Sequence, residues 1–175
     1  MTPEDFQKQF DKGWQLRNEG KHEEVLALAE SHLSLAQAQG NQAAEALFLK
    51  LFAQVHADRD ELREALSYYK RLEKVYISLG DLPKQMHALR HIGSTFLALE
   101  EHQCAQKCLI QVVDAYEAQP PHVLEVANTH RLYALALEKL ENKTEARTYW
   151  EQAKSIYQSL GIEEGVKECE GYLKL

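Results

Sequence analysis

The fold of this chain is decided by the stretch Leu89-Arg90-His91-Ile92-Gly93-Ser94-Thr95-Phe96 and by a second apolar pattern that opens at Ala105 after a polar break. The apolar residues of both parts recur at helical spacing. Small residues at Gly93 and Ala105 allow two helix backbones to approach closely. The stretch therefore predicts two helices that pack against each other.

The same pattern recurs at a period of about 40 residues. The Ala105 position is matched by Val25, Ala65 and Ala146, and the Gly93 position by Gly13, Ala53 and Ala134. The copies end at Gly40, Gly80, Pro120-Pro121 and Gly161. These matching positions predict four helix pairs, at approximately residues 3–40, 42–80, 82–120 and 122–161.

Helix ends are marked by capping residues. Thr2-Pro3-Glu4-Asp5 opens the first helix, and Gly80-Asp81-Leu82-Pro83 combines a helix stop with a new start. The segment 58–60 is predicted to cap the second helix of the second pair. Asn142, with Glu145 three residues later, resembles a capping box.

Each of the last three copies shows the same order of residues. A small residue is followed by a large or aromatic one, a polar break, an alanine and finally a large residue (Tyr69, Leu109 or Trp150). This order resembles the tetratricopeptide repeat (TPR), a helix-turn-helix unit of about 34 residues. The longer period is similar to the extended repeats of kinesin light chains and of bacterial peptide-pheromone receptors. The resemblance covers nearly the whole chain and is weakest in the first copy. It implies an all-α fold: a right-handed α-solenoid of antiparallel helix pairs.

The segment 162–175 adds one more amphipathic pattern, with Val166, Cys169, Tyr172 and Leu173 on its apolar side and glutamates opposite. A repeat array exposes apolar surface at its last repeat unless a helix with a polar outer face covers that surface. The segment is therefore predicted to be a C-terminal capping helix over Tyr149, Ile156 and Tyr157. No linker divides the sequence, which predicts a single array over residues 1–175.

The composition excludes several classes of function. The chain has 175 residues and a net charge of −7, which argues against nucleic acid or an anionic membrane as partner. It contains no apolar run long enough for a membrane span and no signal-peptide pattern, so a cytoplasmic location is predicted. Three cysteines, an odd number, are best interpreted as free thiols in a reducing compartment.

Candidate chemistry is sparse. His87 and His91 are four residues apart, as are Cys104 and Cys108, and this spacing occurs in metal sites. The glutamate of the zinc-protease motif is absent, and the cysteines also fit a packed helix face. There is no glycine-rich phosphate loop and no Gly-x-Ser-x-Gly sequence. The sequence predicts no metal, no cofactor and no enzymatic activity.

The TPR resemblance implies a concave groove lined by the first helix of each pair, where peptides bind. Lys50, Arg90 and Arg131 recur at one position of that helix, and such cations would attract an acidic or C-terminal carboxylate segment. The alternative is that long cationic side chains simply fill polar helix positions. The other predicted binding residues are Gln54, His87, His91, Ser94, Asn128 and Leu135, with Leu47, Leu51 and Leu132 as further apolar floor.

Three functions remain open. The chain is interpreted first as an adaptor or scaffold that captures a segment of another protein in the groove. Alternatively, Phe6, Phe10 and Trp14 form an exposed apolar patch that makes the protein a homodimer rather than a monomer. The third interpretation is a small-peptide sensor similar to the pheromone receptors.

Overall fold

The computed structural model describes residues 1–119 and 121–174, and these residues form nine α-helices and no strand. The helices are α1 (Pro3–Asn18), α2 (His22–Ala38), α3 (Gln42–Asp58), α4 (Leu62–Leu79), α5 (Leu82–Ala98), α6 (His102–Ala118), α7 (Val123–Lys139), α8 (Lys143–Ser159) and α9 (Glu163–Leu173). The predicted all-α fold of successive helix pairs is confirmed. Pro120 and Leu175, which the predicted boundaries include, lie outside the described residues.

The chain divides into two compact units, Met1–Ala88 and Leu89–Leu175, with the boundary inside α5. The first unit contains α1 to α4 and the beginning of α5. The second contains the remainder of α5 and the helices α6 to α9. The single array over residues 1–175 stays a prediction.

The two clearest capping signals are confirmed. The Thr2 hydroxyl accepts a hydrogen bond from the Asp5 N–H at 3.2 Å, and the Asp5 carboxylate accepts one from the Thr2 N–H at 2.9 Å. Gly80 ends α4 with φ of 66°, and the Asp81 carboxylate then accepts from the Lys84 N–H at 3.1 Å. Both ends are therefore fixed by local sequence.

The turn inside each pair contains a residue in the left-handed region, with φ of 74° at Gly20, 59° at Asp60, 61° at Glu100 and 62° at Glu141. The capping role predicted for 58–60 is therefore wrong, because α3 runs through Asp58 and Asp60 forms this turn.

The capping box predicted at Asn142 does not form either. The Asn142 amide donates to the Glu145 carboxylate at 2.7 Å, and no side chain caps α8. In both places the side chain has another partner, since Asp58 pairs with Arg17 and Asn142 donates to Glu145, so neither accepts from the orphan N–H groups of the following helix.

The core of the first unit forms where α1 approaches α3. Phe6 is fully buried and meets Phe48 edge-on, with 6.1 Å between ring centroids. A Cβ atom on Gly13 would lie 2.6 Å from Leu51 Cδ1, so this glycine permits the close approach. Leu51 is fully buried, and it belongs to this core rather than to a binding floor.

The second unit repeats this close packing between α5 and α6. A Cβ atom on Gly93 would lie 2.6 Å from Leu109 Cγ, which confirms the close approach predicted from the small residue. Leu132 of α7 is also buried, with 5% of its surface exposed, so it joins the core as Leu51 does in the first unit.

Helix α9 covers one side of α8, as predicted for the segment 162–175. Tyr172 stacks on Trp150 with 4.3 Å between ring centroids, and Cys169 is fully buried. Of the residues predicted beneath α9, Tyr157 contacts Gly165. Tyr149 instead meets Tyr133 of α7 edge-on at 4.8 Å.

Candidate functional site

The first unit carries a small pocket of about 230 Å³, lined by Phe10, Asp11, Trp14 and Lys50, which we call the Trp14 pocket. Phe10 and Trp14 are one helical turn apart on α1, with 5.7 Å between ring centroids. Lys50 comes from α3, and its Nζ lies 5.2 Å from the centre of the Trp14 ring. The Arg17 guanidinium lies 4.8 Å from that centre. The pocket thus joins an aromatic wall to positive charge.

Lys50 shares the pocket with Asp11 but is not ion-paired with it. Lys50 forms no ion pair with any residue in the described ranges, whereas Arg17 pairs with Asp58 at 2.6 Å and Lys84 pairs with Asp81 at 2.7 Å. Burial, together with the positive charges of Arg17 and Lys84, holds the pKa of Lys50 below its ordinary value. Such a lowered pKa means that the folded protein disfavours the charged form of Lys50.

The two predicted groove arginines lie in the second unit and both have carboxylate partners. Arg90 of α5 is largely buried, with 12% of its side chain exposed, and its Nη2 lies 3.1 Å from a Glu125 carboxylate oxygen on α7. Arg131 of α7 is 28% exposed and donates to the Glu168 carboxylate of α9 at 2.9 Å. Unlike Lys50, these cations are already neutralised by the chain.

Two predicted binding amides connect the two helices of a pair. Gln54 of α3 donates to the Tyr69 hydroxyl of α4 at 2.7 Å. The Asn128 side-chain oxygen of α7 accepts from the Tyr157 hydroxyl of α8 at 2.8 Å. Both amides therefore contribute to packing within their own unit.

The remaining predicted binding residues are half-buried on first helices. His87 lies in the first unit, and His91, Ser94 and Leu135 lie in the second. Their role in binding stays a prediction, as does the alignment of Lys50, Arg90 and Arg131 along one surface.

The predicted self-association residues separate into two environments. Phe6 belongs to the core, whereas Phe10 and Trp14 are half-buried and line the Trp14 pocket. Only the latter two thus present apolar surface to solvent.

Within residues 1–119 and 121–174 no group of three or more His, Cys, Asp or Glu side chains is arranged to hold a metal ion. The three cysteines form no disulfide with one another: Cys104 is exposed, Cys108 half-buried and Cys169 buried. Burial raises the pKa of Cys169 to about 11. No helix in this part of the chain is long and apolar enough to cross a membrane.

Sequence reasoning missed the acidic partners of the arginines. Glu125 follows Arg90 by 35 residues and Glu168 follows Arg131 by 37, while Asp58 follows Arg17 by 41. Because these separations are unequal, the acids do not occupy equivalent positions when the repeats are aligned. Only the packing of successive first helices brings them to the arginines.

No protein-family model matches this sequence, and no curated protein matches it. Solved structures do match in fold. BtubC (BKLC) from P. vanneervenii has a TM-score of 0.72 at 13% identity, over 93% of this chain and 75% of that chain. The TPR-like repeats of a Podosopora anserina protein assigned as a kinesin light chain have a TM-score of 0.71 at 15% identity, over 99% of this chain and 95% of that one.

MamA from Desulfovibrio magneticus RS-1 gives a TM-score of 0.65 at 17% identity, with 97% of this chain and 91% of that chain covered. These identities are low, and the likeness concerns the course of the helices rather than a shared site. The chain has the TPR-like helical-repeat fold that its sequence predicts.

Proposed function

We propose that this chain is a non-enzymatic protein-interaction module, an adaptor or scaffold that binds a segment of a partner protein along its first helices. The Trp14 pocket is the observation that carries the proposal. A half-buried cation without an ion-pair partner is unfavourable, and a carboxylate from a ligand would relieve that cost. Helical repeats with this fold present long surfaces suited to such segments.

The arginines of the second unit would bind a ligand carboxylate only if it competes with the carboxylates that already pair with them. A ligand carboxylate has to displace Glu125 from Arg90 or Glu168 from Arg131. Arg131 is the more exposed of the two, and a guanidinium can hold a carboxylate with two parallel hydrogen bonds. Arg131 is therefore the residue of the second unit that we propose binds an acidic segment.

The partners proposed here are proteins or peptides rather than nucleic acids or membranes. Support comes from the net charge of −7, which repels polyanions. The exposed thiol of Cys104 fits a reducing compartment, and a cytoplasmic location is part of the proposal.

Self-association is the second candidate, and it concerns the same pocket. Phe10 and Trp14 offer half-exposed rings that a second copy would cover, but Phe6 is too buried to join them. Light scattering separates the two functions. A monomer across the working concentration range supports the adaptor, whereas a dimer that Trp14→Ala dissociates supports self-association. A small-peptide sensor would use the same pocket, and no separate observation favours it.

Affinity capture with the full chain tests the adaptor proposal. The baits are the parent, Lys50→Met and, as matched control, Lys12→Met, because Lys12 is exposed on α1 and does not line the pocket. Partners identified by mass spectrometry are purified and their binding is measured directly. We expect affinity to fall with added salt. If no purified partner binds the parent at any salt concentration, the module proposal is wrong.

A further inference from the structure

Each unit contains ion pairs that join consecutive first helices, meaning α1, α3, α5, α7 and α9. In three such pairs among residues 1–119 and 121–174, one in the first unit and two in the second, an arginine on one first helix meets a carboxylate on the next. The pairs are Arg17 with Asp58 at 2.6 and 2.8 Å, Arg90 with Glu125 at 3.1 Å, and Arg131 with Glu168 at 2.9 Å.

Lys50 of α3 departs from this series. Within the first unit, the beginning of α5 brings the positive charge of Lys84 towards Lys50 instead of a carboxylate. The nearby acid, Asp81, is held by Lys84 at 2.7 Å and also caps α5. Lys50 therefore lacks the ion-pair partner that these arginines have, although Asp11 lines the same pocket.

We propose that the Trp14 pocket receives from a partner the carboxylate that the chain does not itself supply to Lys50, as an Asp or Glu side chain flanked by a large apolar residue. The inference rests on the proposed function and names the ligand chemistry of that site. Lys50 holds the carboxylate, and the flanking apolar residue covers Phe10 and Trp14.

A single carboxylate matches the charge of the pocket better than a doubly charged group does. Arg17, the other cation on the Trp14 ring, already donates two hydrogen bonds to Asp58. Lys50 is the cation left to neutralise a ligand, its charge is +1, and the Asp11 carboxylate in the same pocket opposes any further negative charge. A phosphate group would bring a second negative charge with no cation available to it.

The residues that line the pocket indicate that the ligand also carries an apolar side chain. The rings of Phe10 and Trp14 are half-buried, and a large apolar side chain would remove their remaining surface from water. Asp11 also lines the pocket, where it accepts a hydrogen bond from Gln7 at 2.8 Å and repels a second acid. The favoured segment thus carries one acid beside apolar residues, not an acidic run.

The volume of the pocket suits a side chain of a partner segment. At about 230 Å³ it is smaller than the cavities of roughly 300 Å³ and more that hold whole small molecules. The lowered pKa of Lys50 agrees with this account, since a bound carboxylate would favour the charged form.

The test uses the peptide acetyl-Leu-Glu-Leu-amide, titrated into the full chain while the indole N–H signals are followed by NMR. The chain has two tryptophans, and the signal of Trp14 is identified by its loss in Trp14→Phe. We expect a saturable shift of Trp14 and none of Trp150, which is fully buried. Replacing the peptide Glu by Gln should weaken binding by about tenfold or more.

Variants of the protein give the matched comparison. Lys50→Met and Lys50→Gln should each lose the preference for Glu over Gln, whereas Lys12→Met should keep it. Circular dichroism checks that every variant is helical. A third peptide, acetyl-Leu-Gln-Leu with a free carboxyl terminus, distinguishes a side-chain carboxylate from a chain end.

Four results overturn the inference: equal binding of the Glu and Gln peptides, binding that survives both Lys50 substitutions, tighter binding of the free-terminus peptide, or no shift of Trp14 with any peptide. None of them overturns the module proposal, which depends on purified partners. A partner that binds the parent and Lys50→Met equally well would leave the module in place and exclude this pocket.

Discussion

Gly165 of α9 lies directly against the ring of Tyr157 in α8. A Cβ atom on Gly165 would fall 2.6 Å from Tyr157 Cγ and 2.7 Å from Cδ2. Distances below 3.0 Å are not tolerated without movement, so only glycine fits while α9 keeps its present position. Gly171 of the same helix has no neighbour within 4 Å of such an atom.

Gly165→Ala is therefore expected to destabilise the protein and Gly171→Ala to stabilise it. Overpacking costs about 1–3 kcal/mol, which exceeds the roughly 0.5–1 kcal/mol that alanine gains over glycine within a helix. Gly171→Ala gains the stability that alanine adds within a helix and causes no overpacking. Urea unfolding of the two variants and the parent measures the difference, and equal shifts of the same sign would contradict the close contact.

Thiol labelling should report the same contact. Cys104 is exposed and is expected to react first, while Cys169 is buried, with its pKa raised to about 11, and stays unreactive near neutral pH. Gly165→Ala should accelerate labelling of Cys169 but not of Cys104, because it loosens α9. Mass spectrometry after timed alkylation gives the rates, and rapid labelling of Cys169 in the parent would show that α9 does not cover it.

Deleting residues 162–175 is expected to expose the α8 face and cause aggregation. The stacking of Tyr172 on Trp150 is lost, and the Tyr157 ring loses Gly165. In a Trp14→Phe background, Trp150 is the single tryptophan and its emission should shift to longer wavelength. A soluble truncation with unchanged emission and stability would contradict the covering role of α9.

The sequence predicts the helix pairs well because their packing depends on a few residues at fixed spacing. Gly93 must be small for Leu109 to approach, and both belong to columns that recur in the chain. The left-handed turns were missed at Asp60, Glu100 and Glu141, because non-glycine residues there give no sequence signal. A glycine is recognised at such a turn, whereas the acid at Asp60 was mistaken for part of a helix cap.

Lys50→Met should stabilise the protein, most at neutral pH. The folded pKa of Lys50 lies below its ordinary value of 10.5, so between the two values the unfolded state holds a proton that the folded state has released. In that window the parent gains stability as the pH rises, and the variant lacks this gain. The advantage of Lys50→Met should thus shrink from neutral pH towards 10.5.

Chemical unfolding of the parent and Lys50→Met at a series of pH values measures that difference. Tyr133, whose pKa burial raises to about 12, acts in the opposite direction but equally in both proteins. Lys12→Met is the control, and its stability relative to the parent should not vary in this way. An advantage of Lys50→Met that grows with pH would contradict the burial of the Lys50 charge.

The candidate site was only partly predictable for a different reason. The column of Lys50, Arg90 and Arg131 is visible in the sequence, but whether a cation is neutralised depends on its neighbours in space. Glu125 and Glu168 reach their arginines from other helices, whereas no carboxylate among the described residues comes within ion-pair distance of Lys50. A residue type that recurs in each repeat therefore identifies an equivalent position on the first helices. Only the structure shows which cations at that position have an ion-pair partner.

Exchanging the charges of Arg131 and Glu168 distinguishes structural pairing from partner binding. Arg131→Glu alone places two carboxylates together and should destabilise α9, while the double variant Arg131→Glu/Glu168→Arg restores the attraction that the 2.9 Å contact provides. We expect the double variant to recover stability in urea unfolding. If an acidic partner segment uses Arg131, its binding should not recover to the same degree, because the cation now stands on α9. Full recovery of both properties would assign Arg131 a structural role alone and leave Lys50 as the binding cation.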